Sequence, residues 1–467
     1  MSEALAALAS IVEDDAWLVG GALRDRLLGR PTADYDVVVR GDPRALARAL
    51  GRRAGGHPFA LSEGFGAWRV IARDRSWQVD LLPLVGGSIT TDLAARDLTI
   101  NAIAEPVAGG DYVDPFGGLS DLQARRIRMV SAHAFEDDPL RAIRVVRLAC
   151  ELGFEIEPNT FAAARASAPG LARVAVERTF AEFRRIMVAE RALSGLELMD
   201  ELGITAIVLP ELSRLRGVEQ SPYHHLDVHD HTLAVLAETI GLVREPERWF
   251  PEDASAVSAV LAEPLAQELT RGQALRFGAL FHDVAKPQTR KVTAEGRVTF
   301  IGHDETGAEV TAAVLARMRA GERLCEHVAA LARHHLRLGF LVHEMPLSRR
   351  TVYRYLRACE PVGVDVTLLS VADRLATRGR GSEQAISRHV ELARQLLGEA
   401  LAWRAERPRP PLRGDQLARA VGLRPGPEIG RLLDELEEAT FAGEIHTPEE
   451  AIERAQRLLG SERPGPR

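Results

Sequence analysis

The sequence predicts an α+β chain, with a small α/β domain carrying a mixed sheet at the N-terminal end and helices almost throughout the remainder. Three observations predict it. Residues 1 to about 130 alternate short β-rich runs (LVGG, DYDVVV, WRVIA, QVDLLP, YVDP) with helical stretches. From Asp138 onward, apolar residues recur at helical period, as in LRAIRVVRLACELGF and FAEFRRIMVAERALSGLELMDELG, broken only by Gly and Pro. The length, 467 residues, is too great for one core and suggests roughly three domains at about 150 residues each.

Composition narrows the class. Hydrophobic residues make up 46% and charged residues 27%, as in ordinary globular proteins. No apolar run approaches the length needed to span a bilayer, and the opening MSEALAALASIVEDDAW has acids where a signal peptide has Lys or Arg. A cytoplasmic protein with no membrane partner is expected. Cys150, Cys325 and Cys359 are too scattered for a disulfide framework or a CxxC metal site and read as core thiols. A net charge of -7 excludes a uniformly basic coat for nucleic acid but leaves room for a local basic channel.

Taken in order, Leu18 to Val39 (LVGGALRDRLLGRPTADYDVVV) reads as strand, Gly-Gly turn, helix, loop and second strand. Asp34 and Asp36 open that second strand two residues apart, so their side chains share a face. Asp80 in QVDLLP is the natural third carboxylate, on a neighbouring strand. Three carboxylates so placed can hold two hard divalent ions, Mg²⁺ being the expected metal, and still spare oxygens for phosphates. One ion would lower the pKa of an attacking hydroxyl while the other holds a triphosphate and its leaving pyrophosphate. Gly20 and Gly21 let the backbone approach that triphosphate. A lone DxD is usually a solvated strand edge; Gly-Gly before it and Arg24-Asp25 between shift the balance towards a site.

GGALRD followed by DYD resembles the signature of polymerase-beta-like nucleotidyltransferases, in particular the class II tRNA nucleotidyltransferase and bacterial poly(A) polymerase family. Asp92 to Ala104 (DLAARDLTINAIA), Asp114 to Arg128 (DPFGGLSDLQARRIR), Phe135 to Ile156 and VERTFAEFRRIM resemble later motifs in the family's order. The resemblance implies a head domain over 1–131, a neck for nucleotide selection and RNA binding over 132–205, an HD domain over 206–400 and a C-terminal helical tRNA-binding region over 401–467. It implies that Arg96, Asp97 and Asn101 hold the ribose and triphosphate or shape their pocket. Two departures stand out: Ala95 occupies a position where the family often has Arg, and only Leu81 to Thr91 separates Asp80 from the next motif. In full CCA-adding members a longer segment there is implied to help reshape the pocket from cytosine to adenine.

The neck chemistry can also be argued from residues. Asp138 and Arg141, three apart, are expected on one face of a helix. Cytosine and adenine both present an amino donor beside an unprotonated ring nitrogen, whereas uracil and guanine present a carbonyl beside an N–H. Asp138 would accept from the amino group and Arg141 donate to the ring nitrogen, with Asp137 and Arg144 orienting the pair. The plainer reading is that Asp137 and Asp138 cap a helix. Arg125, Arg126, Arg128, Arg144, Arg147, Arg173, Arg178, Arg184 and Arg185 recur where an RNA acceptor stem would lie.

Further on, SPYHHLDVHDHTL, LRFGALFHDVAKP, FIGHDETG, RHHLRLG and VADRLATRG form an ordered set of His and Asp. Adjacent His282-Asp283 suits a transition metal. The set resembles the HD phosphohydrolase domain, whose pattern is met by His231, His282, Asp283 and Asp373, with His303, His334 and His335 as candidates for a second ion. Arg244 to Glu268 reads as an inserted surface segment. Arg404 to Gly414 (RAERPRPPLRG) cannot hold a regular helix and separates a last helical piece.

The expected function is template-independent addition of C, A or both from CTP and ATP to the 3′ end of tRNA. Alternatives are CC addition only, because of the short loop after Asp80, and poly(A) polymerase activity on general RNA. An RNA-binding or nucleotide-sensing module whose HD domain does the only chemistry would require a broken head site, yet Asp34, Asp36 and Asp80 are all present.

Overall fold

A computed structural model describes residues 3–12, 15–62, 64–220, 225–378 and 382–461. Ser221 to His224, which open the first histidine run, and the end of the polar tail from residue 462 lie outside the described residues. The chain divides into two compact units, Met1–Val208 and Leu209–Arg467.

The first unit is built on a six-stranded mixed sheet of β1 (Ala16–Val19), β2 (Asp34–Val39), β3 (Gly56–Ser62), β4 (Ala67–Ala72), β5 (Gln78–Pro83) and β6 (Ala104–Pro106). Their order is β3-β4-β5-β2-β1-β6, and only β2 and β5 pair in parallel. β1 and β2 are each flanked on both sides, and Trp17, Val19 and Val38 are buried with Leu93, Ala102 and Ala104. The Pro43–Ala54 helix starts where Asp42 accepts from the Arg44 N–H and stops at Gly55, whose left-handed backbone suits glycine. It covers one face of the sheet over β3, β4 and β5 through Ala47 and Leu50.

One sequence expectation needs correction in this sheet: YVDP makes no strand, and Val113 forms a single bridge to Ala104. GHPFALS, whose pattern Gly56 and Pro58 obscure, forms β3; an edge strand tolerates both.

Beyond the sheet, the Leu140–Leu152 helix buries Leu140, Ile143, Val146 and Leu148 and packs against the Val176–Val188 and Ala192–Glu201 helices. A Cβ at Gly195 would come within 2.5 Å of Cys150 Sγ, so glycine sets that helix approach. Asp138 is not on the helix, contrary to the expectation. Pro139 favours an extended residue before it, and Asp138 adopts φ -146°, ψ 99°.

The second unit is helical apart from two small hairpins. Helices Val228–Arg244, Arg271–Phe281, Glu322–His334, Gly363–Ala376 and Ser382–Ala405 form its main body. The Arg244 to Glu268 segment is not a surface insertion. Phe250, Val257, Val260 and Leu261 are buried, the last three on one side of an Ala254–Leu261 helix whose period the Pro and Glu around it obscured. After the irregular Pro-Arg stretch, helices Gly414–Val421, Pro427–Phe441 and Pro448–Ser461 enclose a small core of their own around Leu417, Leu432 and Leu436.

Candidate functional site

Two constellations stand out, one in each unit. In the first, β2 delivers Asp34 and Asp36, and the parallel register sets Asp36 beside Asp80 on β5. Burial raises the Asp36 pKa above the usual carboxylate range; Arg96 opposes this, while Asp80 and Asp34 add to it. A half-buried carboxylate crowded by two others is a place where a hard cation is favoured, so the residues fit divalent metal. Asp80 differs in having both oxygens engaged by Arg69, Nε to Oδ1 at 2.6 Å and Nη2 to Oδ2 at 2.7 Å.

Gly20 follows β1 directly at φ +72°, and a Cβ there would lie 3.2 Å from Asp36 Oδ2 and 3.1 Å from Arg96 Nη1. Only glycine suits that conformation so close to two charged groups. Gly21 carries no such constraint.

A cavity of about 480 Å³ opens beside these residues, lined by Gly20, Gly21, Arg24, Asp25, Asp34, Asp36, Ala95, Arg96, Asp97, Asn101, Arg141, Arg144, Arg147 and Arg185 among others. Its floor is a relay of alternating charges and amides. Arg24 pairs with Asp25 and donates to Asn101 at 2.7 Å, and Asn101 donates to Asp97 at 3.0 Å. Asp97 meets Arg144 at 3.3 Å, and Arg144 meets Glu182 at 3.2 Å. Glu182 also binds Arg147, at 2.5 Å, and Glu151 joins Arg147 to Arg185. Burial would push the Asp97 carboxyl up, yet Arg144, the Asn101 amide and the Leu98 N–H outweigh it and hold the pKa down. Burial lowers the Arg24 pKa against the pull of Asp25.

Asp80, Asp137 and Asp138 do not line this cavity. Asp138 accepts from the Leu140 N–H at 3.2 Å, as a cap does, and pairs with Arg178 at 2.7 Å. Arg141 donates to the Ala134 and Ala95 carbonyls at 3.0 and 2.8 Å. Arg141 thus lines the cavity while Asp138 is held by Arg178 outside it, and Arg144 contacts Asp97 and Glu182 rather than either of them. The sequence reading missed Glu182 and Glu151; an acid recurring among arginines on VERTFAEFRRIM and RLACELG was the available signal. Arg128 is likewise committed to Asp121 and the Phe116 carbonyl.

In the second unit, His231, His282, Asp283, His303 and His335 converge and are buried. His231 Nε2 lies 3.0 Å from Asp373 Oδ1, and His282 Nε2 lies 3.1 Å from Asp283 Oδ2. His303 Nε2 and His335 Nε2 stand 3.2 and 3.8 Å from Asp283 Oδ1. His282, His303 and His335 each donate Nδ1–H to a carbonyl, of Ala279, Phe300 and Ala332, at 2.7–2.8 Å. With Nδ1 engaged, each ring turns Nε2 towards the carboxylates; burial with the neighbouring His282 pushes His335 down to about 4, whereas at His282 burial is outweighed by Asp283, which raises it. Imidazole nitrogens and carboxylate oxygens converging within 4.8 Å of one another offer a donor set that a cation would fill, so these residues fit a metal ion. Lys286 closes one side at 2.6 Å from Asp283. His334 is not part of the cluster; its ring accepts from Arg337 instead, because the next residue along a helix points about 100° away.

Against known proteins, the family description "Poly A polymerase head domain" matches residues 16–82 and 74–128. "Probable RNA and SrmB-binding site of polymerase A" matches 153–215, and "HD domain" matches 255–378. An A-adding tRNA nucleotidyltransferase of Deinococcus radiodurans is 36% identical, over 96% of this chain and 96% of the relative. A CC-adding tRNA nucleotidyltransferase of Thermus thermophilus is 35% identical over 94% and 92%. A multifunctional CCA protein of Xanthomonas campestris is 32% identical over 89% and 95%. Among solved structures, an apo CCA-adding enzyme matches with TM-score 0.64 at 19% identity, covering 99% and 94% of the two chains. The Thermotoga maritima CCA-adding enzyme complexed with tRNA matches at 0.59 and 20%, covering 97% and 94%. At those identities the structural likeness speaks to the fold.

Proposed function

Because the chain belongs to the family of tRNA nucleotidyltransferases and bacterial poly(A) polymerases, we propose that it adds C, A or both to the 3′ end of tRNA from CTP and ATP, without a nucleic-acid template. The observation that carries this is the carboxylate row Asp34, Asp36 and Asp80 beside Gly20, opening on an arginine-lined cavity. Asp34, Asp36 and Asp80 would hold Mg²⁺, which would supply hydroxyl activation and charge neutralisation at the leaving pyrophosphate. Gly20 and Gly21 give the triphosphate close backbone approach. Arg24, Asp25, Arg96, Asp97, Asn101 and Arg144 form the nucleotide pocket, which Arg147 and Arg185 also line. Asp138 and Arg141, released from their present partners, read the base edge, with Asp137 beside them.

Incorporation of labelled CTP and ATP into tRNA ending at its discriminator base tests this reading; no incorporation of either would overturn it. Extension of oligo(A) in preference to tRNA would favour poly(A) polymerase activity. The two relatives of nearly equal identity are named for different additions, A and CC, so overall similarity does not separate the nucleotides added. A second reading, addition of CC alone, is favoured by the five-residue link Leu84 to Ser88 between β5 and the Ile89–Ala94 helix.

For the second unit we propose that His231, His282, Asp283 and Asp373 hold a transition metal, with His303 and His335 beside them, and hydrolyse a small phosphoester such as a 2′,3′-cyclic phosphate. The same reading keeps the division at 1–131, 132–205, 206–400 and 401–467. No helix among the described residues is long and apolar enough to cross a membrane, and a cytoplasmic location, where tRNA is, belongs to the proposal.

A further inference from the structure

We propose that the open face of the sheet on the β3 side of the carboxylates is the track for the RNA's 3′-terminal nucleotide, with Phe59 stacking on its base. The inference rests on the reading of the chain as an RNA-extending nucleotidyltransferase. Cross-strand register sets Phe59 opposite Arg69, Arg69 opposite Asp80 and Asp80 opposite Asp36. Residues in register share a face, so one row runs from the catalytic carboxylates to the sheet edge. The adjacent row, Pro58, Val70 and Val79, faces the other way, beneath the Pro43–Ala54 helix, where a Cβ at Gly51 would meet Pro58 at 2.9 Å. Among the described residues Phe59 lies open, 42% exposed, and Phe65 on the β3–β4 turn is 82% exposed.

The direction of the chemistry selects the occupant. The arginine-lined cavity draws its walls from the β1 turn, β2 and the neck helices; Phe59, Arg69 and Asp80 take no part in it. With the triphosphate in that cavity, in-line displacement requires the 3′-hydroxyl to arrive from the opposite side of the carboxylates, over β5, β4 and β3. There the guanidinium of Arg69 holds both oxygens of Asp80 and stands between it and Phe59, which makes it a positioning residue. An exposed aromatic ring beside a fixed cation, at the edge of a sheet, is the form of a single-strand platform, where bases stack without sequence preference. That tolerance suits a primer whose terminal base changes with each addition.

Steady-state CMP incorporation into tRNA by the full chain tests the proposal. Phe59→Ala is expected to raise the KM for tRNA about fivefold or more while leaving the KM for CTP unchanged, and Phe59→Trp is expected to restore it. On a tRNA whose 3′-terminal nucleotide is abasic, the unsubstituted chain and Phe59→Ala should behave alike. An unchanged tRNA KM, an equal loss on the abasic primer, or a loss that follows a change in sedimentation would overturn the assignment, the last showing that a second copy covers this face. If the unsubstituted chain incorporates nothing, the functional reading fails as well, so the two failures are told apart.

Discussion

Asp36 shows how a single residue links function to cost. Its folded pKa lies above the ordinary value, chiefly through burial, so its ionised form opposes folding in the absence of metal. The sign follows: the penalty is absent below the unfolded pKa and grows as pH rises through the folded one. Asp36→Asn should therefore melt higher than the unsubstituted protein in chelator at pH 7.5, by on the order of 1 kcal/mol, the scale at which functional sites trade stability for activity. The two should converge near pH 4. Equal melting at pH 7.5 would rule out the burial argument. Asp34→Ala and Asp36→Ala should each abolish incorporation of every nucleotide while RNA binding stays nearly unchanged; turnover in either would falsify the head-site assignment. Asp138 sits outside the cavity and caps the next helix, so Asp138→Ala carries a stability cost of about 1 kcal/mol. If it reads the base edge, UTP and GTP should also be accepted. Continued exclusion of UTP in a folded variant would place selection elsewhere.

Among the elements, the link after β5 makes the sharpest statement. Ser88 caps the Ile89–Ala94 helix by accepting from the Thr91 N–H at 3.2 Å, and its hydroxyl meets the Thr91 hydroxyl at 2.8 Å. A Cβ at Gly86 would meet Thr91 Cγ2 at 2.3 Å. A link this short and closely knit has little reach to help a pocket change from pyrimidine to the larger purine. With CTP, ATP and tRNA lacking its 3′ end, addition of CC alone would give arrest after two C additions; efficient formation of full CCA would sink that second reading. The neck shows what sequence patterns conceal at this scale. VERTFAEFRRIM announces a helix by its period, but not that Glu182 turns inward to hold Arg144 and Arg147 together, which depends on what the helix packs against.

For the whole molecule, the two constellations belong to different compact units and offer different donors, carboxylate oxygen in one and imidazole nitrogen with carboxylate oxygen in the other. His282→Ala should lose bound transition metal by elemental analysis, together with any Ni-, Co- or Mn-dependent hydrolysis of a 2′,3′-cyclic phosphate, while CMP incorporation with Mg²⁺ persists. Retained metal in that variant would leave His282 outside the coordination sphere. Hydrolysis that survives unchanged would place the activity elsewhere.

What the sequence determined by itself was whatever depends on short spacing. The i, i+2 carboxylates Asp34 and Asp36 on a strand, the glycines before them, the adjacent His282-Asp283 and most of the α-helical period after Asp138, though not Asp138 itself, are set by local geometry and legible without neighbours. Tertiary structure decided matters that need two distant segments to meet. It joined Asp80 to Asp36 by parallel register, gave Asp80 to Arg69, turned Glu182 onto two arginines, and buried the Ala254–Leu261 helix. Charge partners and burial are properties of packed surfaces, and a side chain's partner is chosen by the element opposite it rather than by its neighbours along the chain.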